Sequence, residues 1–250
     1  AQVLENINGC YPNKGGSTGF RRSTLPFVGA GLSTWNAMDA EWRRRRSAAA
    51  RIFRQVAAPQ TWALPQGEIA GTALRRAIEV RVVRNLAEHF LGVSIDPHAA
   101  LEVVDNFRAI GTAFWTGKLP WARPLLAQQA RRRVANLEHI VGQWIDTAPA
   151  TAPIRYHLPD LGPDRVRDEV LSQLLSVGTL AIPTEWALRL LAGHQDVQSE
   201  LRSQLLLGER GFLRRIVREA LRLCPSTYWI QRQAARDNEL AGARVPAGTV

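Results

Sequence analysis

The chain has 250 residues, of which 46% are hydrophobic, and a formal net charge of +10. This apolar content is enough for a substantial core and argues against a chain that is disordered as a whole. The two cysteines, Cys10 and Cys224, form neither a metal-ligand spacing nor a disulfide framework, so we expect an intracellular, cytoplasmic protein. No signal peptide, lipidation signal or membrane anchor is visible. The chain begins without Met and stops in a strand-like run, which favours an internal piece of a longer protein.

The positive charge comes almost entirely from arginine, with two clusters at residues 43–46 and 131–133. Such a charge attracts nucleic acid or any acidic partner. Each cluster lies in a helical pattern, where a solvated helix face is the simplest interpretation. A basic helical nucleic-acid-binding protein stays open as an alternative, although the sequence has no recognition-helix pattern and most arginines are spread out.

The chain predicts mostly irregular structure first and helices afterwards. Residues 1–34 are rich in Gly, Asn, Ser and Pro, with a short helix expected at residues 2–7. Helical periodicity then follows, with an apolar stripe of Leu74, Ile78, Val82, Leu86 and Phe90 and a stop at Gly92. The predicted helices span residues 42–56, 68–90, 99–114 and 124–145. The sequence TAPATAP at residues 147–153 predicts a surface linker.

Residues 170–192 form the most apolar long run and predict one central, nearly buried helix. Pro183 removes an amide donor, so the helix should bend around Thr179 to Pro183. Charged residues interrupt and flank the run, which makes a membrane span the weaker interpretation. Helices at residues 196–207 and 211–223 follow, and strands at residues 227–233 and 239–250. The predicted fold class is therefore mainly α with a little β at the C-terminal end.

The strongest local motif is VREALRLCP at residues 217–225. Glu219 and Arg222 are one helical turn apart and can pair, and Pro225 then ends the helix. Alone, such a pair indicates no more than a surface salt bridge. Arg232 follows ten residues after Arg222, inside IQRQAARDNELAGARVPAGT.

This segment resembles the helix that bears the E-x-x-R motif of cytochrome P450 enzymes, together with the β strands that follow it. The helix at residues 170–192 resembles the family's oxygen-binding helix, with Thr179 matching its threonine. MDAEWRRRR at residues 38–46 resembles the family's W-x-x-x-R helix, preceded by GAGL at residues 29–32 as the glycine-containing approach. The resemblance covers essentially the whole chain. It implies one partial cytochrome P450 domain over residues 1–250, truncated at both ends, with a long central helix.

The resemblance implies haem b as the cofactor and assigns roles to individual residues. Trp42 and Arg46 match the family's two haem-propionate contacts, and the indole N–H and guanidinium groups of Trp42, Arg46 and Arg232 suit the two anionic propionates. Thr179 is the candidate catalytic residue, which would order water and help deliver the protons that split the O–O bond. Glu219 and Arg222 match a structural pair near the proximal haem face and take no part in catalysis.

Three departures from the family pattern accompany these matches. The run Leu175-Ser-Val-Gly-Thr179 has Gly178 where the family usually has an acid, so a proton relay must use water, a substrate group or another residue. The region between Ile145 and Arg165 looks shorter than usual. The cysteine loop that supplies the thiolate ligand of iron is not in this chain, and neither Cys224 nor Cys10 replaces it. We therefore expect at most weak haem binding by the chain as it stands.

The implied function is that of a soluble, bacterial-type haem-thiolate monooxygenase of secondary metabolism, inserting one oxygen atom from O2 into an apolar small molecule. Possible pocket aromatics suggest a terpenoid or polyketide: Trp115, Trp121, Tyr228 and Trp229. The implied electron donor is an acidic ferredoxin or flavodoxin docking on a basic face that includes Arg43 to Arg45. The five histidines are expected to be structural. A non-catalytic P450 relic is the second alternative, motivated by Gly178 and the shortened segment.

Overall fold

The computed structural model describes residues 40–54, 71–116, 123–225 and 234–249, and these are helical apart from connecting turns and one hairpin. The helices are α1 Ala40–Arg54, α2 Gly71–Leu91, α3 Pro97–Thr116, α4 Arg123–Thr147, α5 Pro153–His157, α6 Pro163–Leu174, α7 Val177–Ala192, α8 Gln195–Leu206 and α9 Gly211–Leu223. The strands β1 Asn238–Leu240 and β2 Ala243–Val245 pair antiparallel. The predicted fold class is confirmed, and the predicted helices of the described ranges, apart from the central one, are present within a few residues of their expected ends.

Helix α2 lies at the centre of the described bundle and packs against α1, α3, α4, α5, α6 and α7. Its apolar stripe explains this position, since Ile78, Leu86 and Phe90 are buried at helical spacing. Val83 and Leu91 widen the buried face, whereas Leu74 and Val82 of the predicted stripe are only partly buried. An apolar surface of this width lets one helix contact neighbours on several sides.

The predicted central helix is two helices in the structure. Regular α-helix is interrupted at Leu175 and Ser176, between α6 and α7. The amide of Ser176 donates to the carbonyl of Gln173 at 2.9 Å, a tight turn three residues back. This break lies before the bend that we expected at Thr179 to Pro183, and α7 continues through Pro183 to Ala192.

The expectation of near-complete burial is wrong for α7. Helix α6 is buried along much of its length, but α7 buries only Val177, Ala181 and Glu185. Its other side exposes Thr179 and Leu180 to solvent. Helix α7 therefore has one packed face and one open face, because α2 and α9 cover it from one side.

One helical stretch in the described part of the chain, Pro163–Ala192, is long and apolar enough to cross a bilayer by length and composition alone. The core helices of soluble proteins pass the same test. We interpret the stretch as part of the packed bundle, because it carries Glu169 and Glu185, both of which form ion pairs with other helices. Only 22% of its apolar window is buried, however, which agrees with the open face of α7.

The predicted surface linker at residues 147–153 is an exposed turn that is packed at two positions. Four of its seven residues are exposed, whereas Ala148 and Ala152 are buried and Pro153 starts α5. Gly92, which ends α2 as predicted, has φ +68°, and a Cβ placed on it would lie 3.5 Å from Cγ of Pro149. Small residues and prolines here permit a close approach to the end of α2.

The C-terminal strand prediction is confirmed for residues 238–245, with the turn at Ala241 and Gly242 between the strands. Both turn residues have positive φ, at 51° and 80°, as a two-residue hairpin requires. Asp237 fastens the hairpin, since its carboxylate accepts the amide of Ala247 at 2.8 Å and a guanidinium N–H of Arg244 at 3.0 Å. The strand predicted at residues 227–233 and the helix at residues 2–7 lie outside the described residues.

Phe90 provides a test of this core. Its ring is 2% exposed and meets Phe53 of α1 edge-on, with ring centroids 5.2 Å apart. We expect Phe90→Ala to lower the free energy of unfolding by about 3–5 kcal/mol, through lost burial and a residual cavity. Denaturant unfolding followed by circular dichroism measures this. The control Leu206→Ala, at a side chain that is 88% exposed, should change it by less than about 0.5 kcal/mol.

Candidate functional site

The four consecutive arginines of α1 have different environments, because Glu41 binds two of them. Its carboxylate accepts two hydrogen bonds from Arg44, at 2.8 and 2.9 Å, and one from Arg45 at 2.8 Å. Arg44 also reaches Asp160, before α6, at 3.3 Å. These arginines lie three and four residues after Glu41, the spacing at which helical side chains meet. The interpretation of residues 43–46 as a uniformly solvated face is therefore wrong for Arg45, which is buried.

Arg45 points into the bundle, where its Nη1 lies 3.5 Å from Oε2 of Glu169 on α6. The two side chains are only 2% and 1% exposed. Gln173, one turn along α6, donates to the other carboxylate oxygen of Glu169 at 2.9 Å. A buried ion pair with its remaining atoms hydrogen-bonded is the arrangement that makes burial of two charges tolerable.

Trp42 and Arg46, the predicted propionate contacts, lie together on α1. The guanidinium carbon of Arg46 is 5.0 Å from the centroid of the Trp42 ring, a cation–π arrangement. Arg46 is exposed and Trp42 is half-buried. The pair therefore presents a positive charge and the edge of an indole at a surface of the bundle, which is a donor set suited to carboxylates.

Thr179 lies on the open face of α7. Its hydroxyl donates to the carbonyl of Ser176 at 2.7 Å, which leaves the hydroxyl oxygen able to accept a hydrogen bond from water. Pro183 has no N–H and cannot donate to the carbonyl of Thr179, its helical partner four residues earlier. Gly178 beside it has open space where a Cβ would be. The sequence thus concentrates unpaired hydrogen-bonding capacity around one exposed turn of an apolar helix.

Glu219 and Arg222 pair on α9 as predicted, through two hydrogen bonds of 2.9 and 2.6 Å. The donated hydrogen bonds lower the pKa of Glu219 and raise that of Arg222. Both side chains are more than half exposed. Because α9 packs against α7 and α8, the pair lies on a helix that flanks the one carrying Thr179.

Several predicted positions fall outside the described residues. They are Arg232, the third propionate candidate, the aromatics Trp121, Tyr228 and Trp229, and the glycine-containing segment at residues 29–32. The side chain of Trp115 also lies outside the described part.

Cys224 is a free, half-buried thiol directly after α9. Among the described residues, no group of three or more His, Cys, Asp or Glu side chains could hold a metal ion.

Among the described residues, two sets have the chemistry to hold the edge of a haem. Trp42 and Arg46 carry the charge and N–H groups that would hold propionates. The open face of α7, with Gly178 and exposed Leu180, is small and apolar and would suit the porphyrin ring. Neither α1 nor α7 contains a thiol that could bind iron.

Residue patterns did not identify the buried carboxylates that join the helices. Glu169 pairs with Arg45, and Glu185 on α7 pairs with Arg75 of α2 and with Arg189, the latter at 2.9 Å. The available signal was an acidic residue inside a long apolar run, because a carboxylate buried there must find a cation. No spacing in the chain indicates which arginine becomes the partner.

Comparison with known proteins finds similarity to one family. A family model described as Cytochrome P450 matches residues 161–250. Among curated proteins, the chain is 29% identical to cytochrome P450 78A9 of Arabidopsis thaliana over 178 residues, which cover 59% of this chain and 33% of that protein. It is 27% identical to cytochrome P450 78A3 of Glycine max over 192 residues, which cover 62% and 36%. The matched region is about a third of the length of these relatives.

Two solved structures share the fold. Retinoic acid-bound cyanobacterial CYP120A1 has a TM-score of 0.62 at 16% identity, over 98% of this chain and 64% of that one. Cytochrome P450EX alpha (CYP152N1) with myristic acid has a TM-score of 0.64 at 15% identity, over 99% and 62%. The helical bundle is therefore a partial P450 fold. The family model over residues 161–250 and the curated relatives show that the chain is similar to cytochrome P450 proteins.

The Glu41 cluster predicts a specific dependence of stability on acid. Hydrogen bonds from Arg44, and then from Arg45, lower the pKa of Glu41 from 4.5 to about 2. Because the folded-state pKa is lower than the unfolded one, this stabilisation is present above about pH 4.5 and is lost as the pH falls towards 2. Thermal unfolding between pH 6 and pH 2.5 should show a loss of about 1–2 kcal/mol that Glu41→Gln lacks. Equal pH slopes in both proteins would contradict it.

Proposed function

We propose that this chain is part of a haem-thiolate monooxygenase. One atom of O2 enters a C–H bond of an apolar small molecule, and the other leaves as water with two protons and two electrons from a redox partner. The observation that supports this most directly is the joint occurrence of the Trp42–Arg46 pair, the Thr179 helix and the Glu219–Arg222 pair in the family's order, within a P450 fold.

Haem b is the cofactor in this proposal, and it supplies the iron at which oxygen is reduced. Trp42, Arg46 and Arg232 hold its two propionates through N–H groups and positive charge. The thiolate ligand is a residue of the longer protein outside these 250 residues. Trp42 and Arg46 support the assignment by lying in contact at one surface with no carboxylate bonded to Arg46 among the described ion pairs.

Thr179 orders water in the proposed site. Because its hydroxyl donates to the carbonyl of Ser176, the hydroxyl oxygen can accept a hydrogen bond from a water molecule on the open side of α7. The carbonyl of Thr179, to which Pro183 cannot donate, can accept a hydrogen bond from a second water molecule. With Gly178 in the place of the usual acid, the protons reach the site through water rather than through a carboxylate on this turn.

The substrate class in this proposal is apolar and bulky, such as a terpenoid or polyketide. The exposed Leu180 beside Thr179 supplies an apolar wall next to the reacting position. Two proteins of the same fold were solved with retinoic acid and with myristic acid, which supports an apolar ligand in general and no particular one. Pocket aromatics at Trp115, Trp121, Tyr228 and Trp229 remain predictions.

The proposed electron donor is an acidic ferredoxin or flavodoxin in the cytoplasm. The basic surface of this chain that would bind it differs from the one expected from the sequence. Arg44 and Arg45 are committed to Glu41, Asp160 and Glu169, so of residues 43–45 only Arg43 stays available to a partner. The exposed arginines of α9 provide the charge instead: Arg214, Arg215 and Arg218. The same ion pairs weaken the alternative of a nucleic-acid-binding protein, which relied on the whole run of four arginines.

Haemin titration tests the propionate assignment. We expect Arg46→Leu, and Arg232→Leu separately, to weaken haemin binding by the chain about tenfold each, measured by Soret absorbance. Arg43→Leu is the matched control on the same helix and should leave the affinity within twofold. Haemin dimethyl ester, whose propionates are uncharged, should bind all of these variants alike.

Equal haemin affinity in the wild type and Arg46→Leu would contradict the assignment of Arg46 to the propionates.

Sequencing the source gene beyond the Val250 codon tests the enzyme class separately. An in-frame F-x-x-G-x-x-x-C-x-G loop, followed by a CO-difference spectrum of the longer protein, is the expected result. A longer protein that binds haem but never turns over oxygen with any reduced ferredoxin or flavodoxin would instead favour a relic.

A further inference from the structure

The buried ion pair between Arg45 and Glu169 stands next to the residues that the proposed function assigns to haem. On an α-helix successive side chains are separated by about 100°, so Arg46 projects one such step beyond Arg45, and Trp42 lies on the turn before. Whatever fixes the direction of Arg45 therefore fixes the direction in which Trp42 and Arg46 project. Glu169 does this from α6, at 3.5 Å, while Glu41, four residues before Arg45 on α1 itself, holds the Arg45 side chain at 2.8 Å.

The large apolar contacts of α1 lie towards its C-terminal end, away from Arg45. Ile52 is buried there and the Phe53 ring meets Phe90, whereas the buried side chains nearest to Arg45 are Ala48 and Ala49. Alanines permit close approach to a neighbouring helix but give little side chain to interlock with it. An ion pair with hydrogen-bond geometry is directional, and breaking it leaves a charge buried without a partner.

The other partner belongs to the helical stretch that leads to the proposed oxygen site. Glu169 lies on α6, ten residues before Thr179, and Gln173 between them bonds its carboxylate at 2.9 Å. The Arg45–Glu169 ion pair therefore links the helix of Trp42 and Arg46 to the helical stretch that carries Thr179.

We infer that Arg45 and Glu169 are positioning residues for haem, setting the rotation of α1 so that Trp42 and Arg46 present their N–H groups to the propionates. This inference rests on the proposed function. It assigns no chemistry to the pair, which acts through the direction of two other side chains.

Haemin titration of the 250-residue chain, read by Soret absorbance and induced circular dichroism in the Soret band, tests the inference. We expect Glu169→Gln to weaken haemin binding about tenfold and to reduce the induced dichroism. The matched control is Glu79→Gln, since Glu79 is a buried carboxylate that accepts from Arg108 at 2.6 Å and joins α2 to α3. It should bind haemin within about twofold of the wild type.

A double-mutant cycle separates positioning from general stability. If Glu169 acts through Arg46 and Trp42, Glu169→Gln should weaken haemin binding by a smaller factor in the Arg46→Leu background than in the wild type. Fully additive losses, or equal losses in Glu79→Gln and Glu169→Gln, would overturn the inference. If Glu169→Gln gives no helical circular dichroism, Glu169→Asp, which keeps the charge and shortens the side chain, takes its place in the same cycle with the same criteria.

The outcomes also separate the inference from the proposed function. Haemin affinity that falls in Arg46→Leu but stays unchanged in Glu169→Gln overturns the positioning role and leaves the haem assignment standing. Affinity unchanged in Arg46→Leu overturns the haem assignment, and the positioning role with it. With haemin dimethyl ester as the probe, the loss caused by Glu169→Gln should disappear, because the groups that Trp42 and Arg46 would hold are then uncharged.

Discussion

A carboxylate inside an apolar helix needs a cation from another helix, and this requirement joins the helices of the described bundle. Glu169 binds Arg45 of α1, Glu185 binds Arg75 of α2, and Glu79 binds Arg108 of α3. Hydrophobic burial around α2 supplies the driving force for packing, but it is not directional. The ion pairs are directional, and losing one partner strands a buried charge. They therefore favour particular orientations of the helices that they join.

The same constraint accounts for the division of the arginine-rich surface. A chain with net charge +10 looks suited to a polyanion, yet Arg44 and Arg45 are held by carboxylates of the protein itself. Exposed arginines in the described part of the chain include Arg43, Arg46, those of residues 131–133 and those of α9. The proposal gives two of these positions different tasks, with Arg46 beside Trp42 for a small anionic group and α9 for a protein partner.

Sequence reasoning predicted most helices of the described ranges and the Glu219–Arg222 pair, because both depend on local spacing, but it missed α5 and the first turns of α6. It expected the apolar helix to bend around Thr179 to Pro183, whereas the structure interrupts it at Leu175 and Ser176, where a local turn competes with the helix. It took residues 147–153 for a surface linker, and composition does not reveal that Ala148 and Ala152 are buried. Partner choice for Glu169 depends on tertiary contacts and was beyond any spacing rule.

The open face of α7 results from the helical spacing of its buried residues and from the helices that pack against them. Its packed side is defined by Val177, Ala181 and Glu185 at four-residue steps, which turns Thr179 and Leu180 outward. Had the helix been buried all round, Thr179 would need a partner within the protein for every lone pair. Because this side is open, its hydroxyl satisfies one bond to Ser176 and keeps acceptor capacity for water. The proposed proton delivery through water at Gly178 depends on that side remaining accessible.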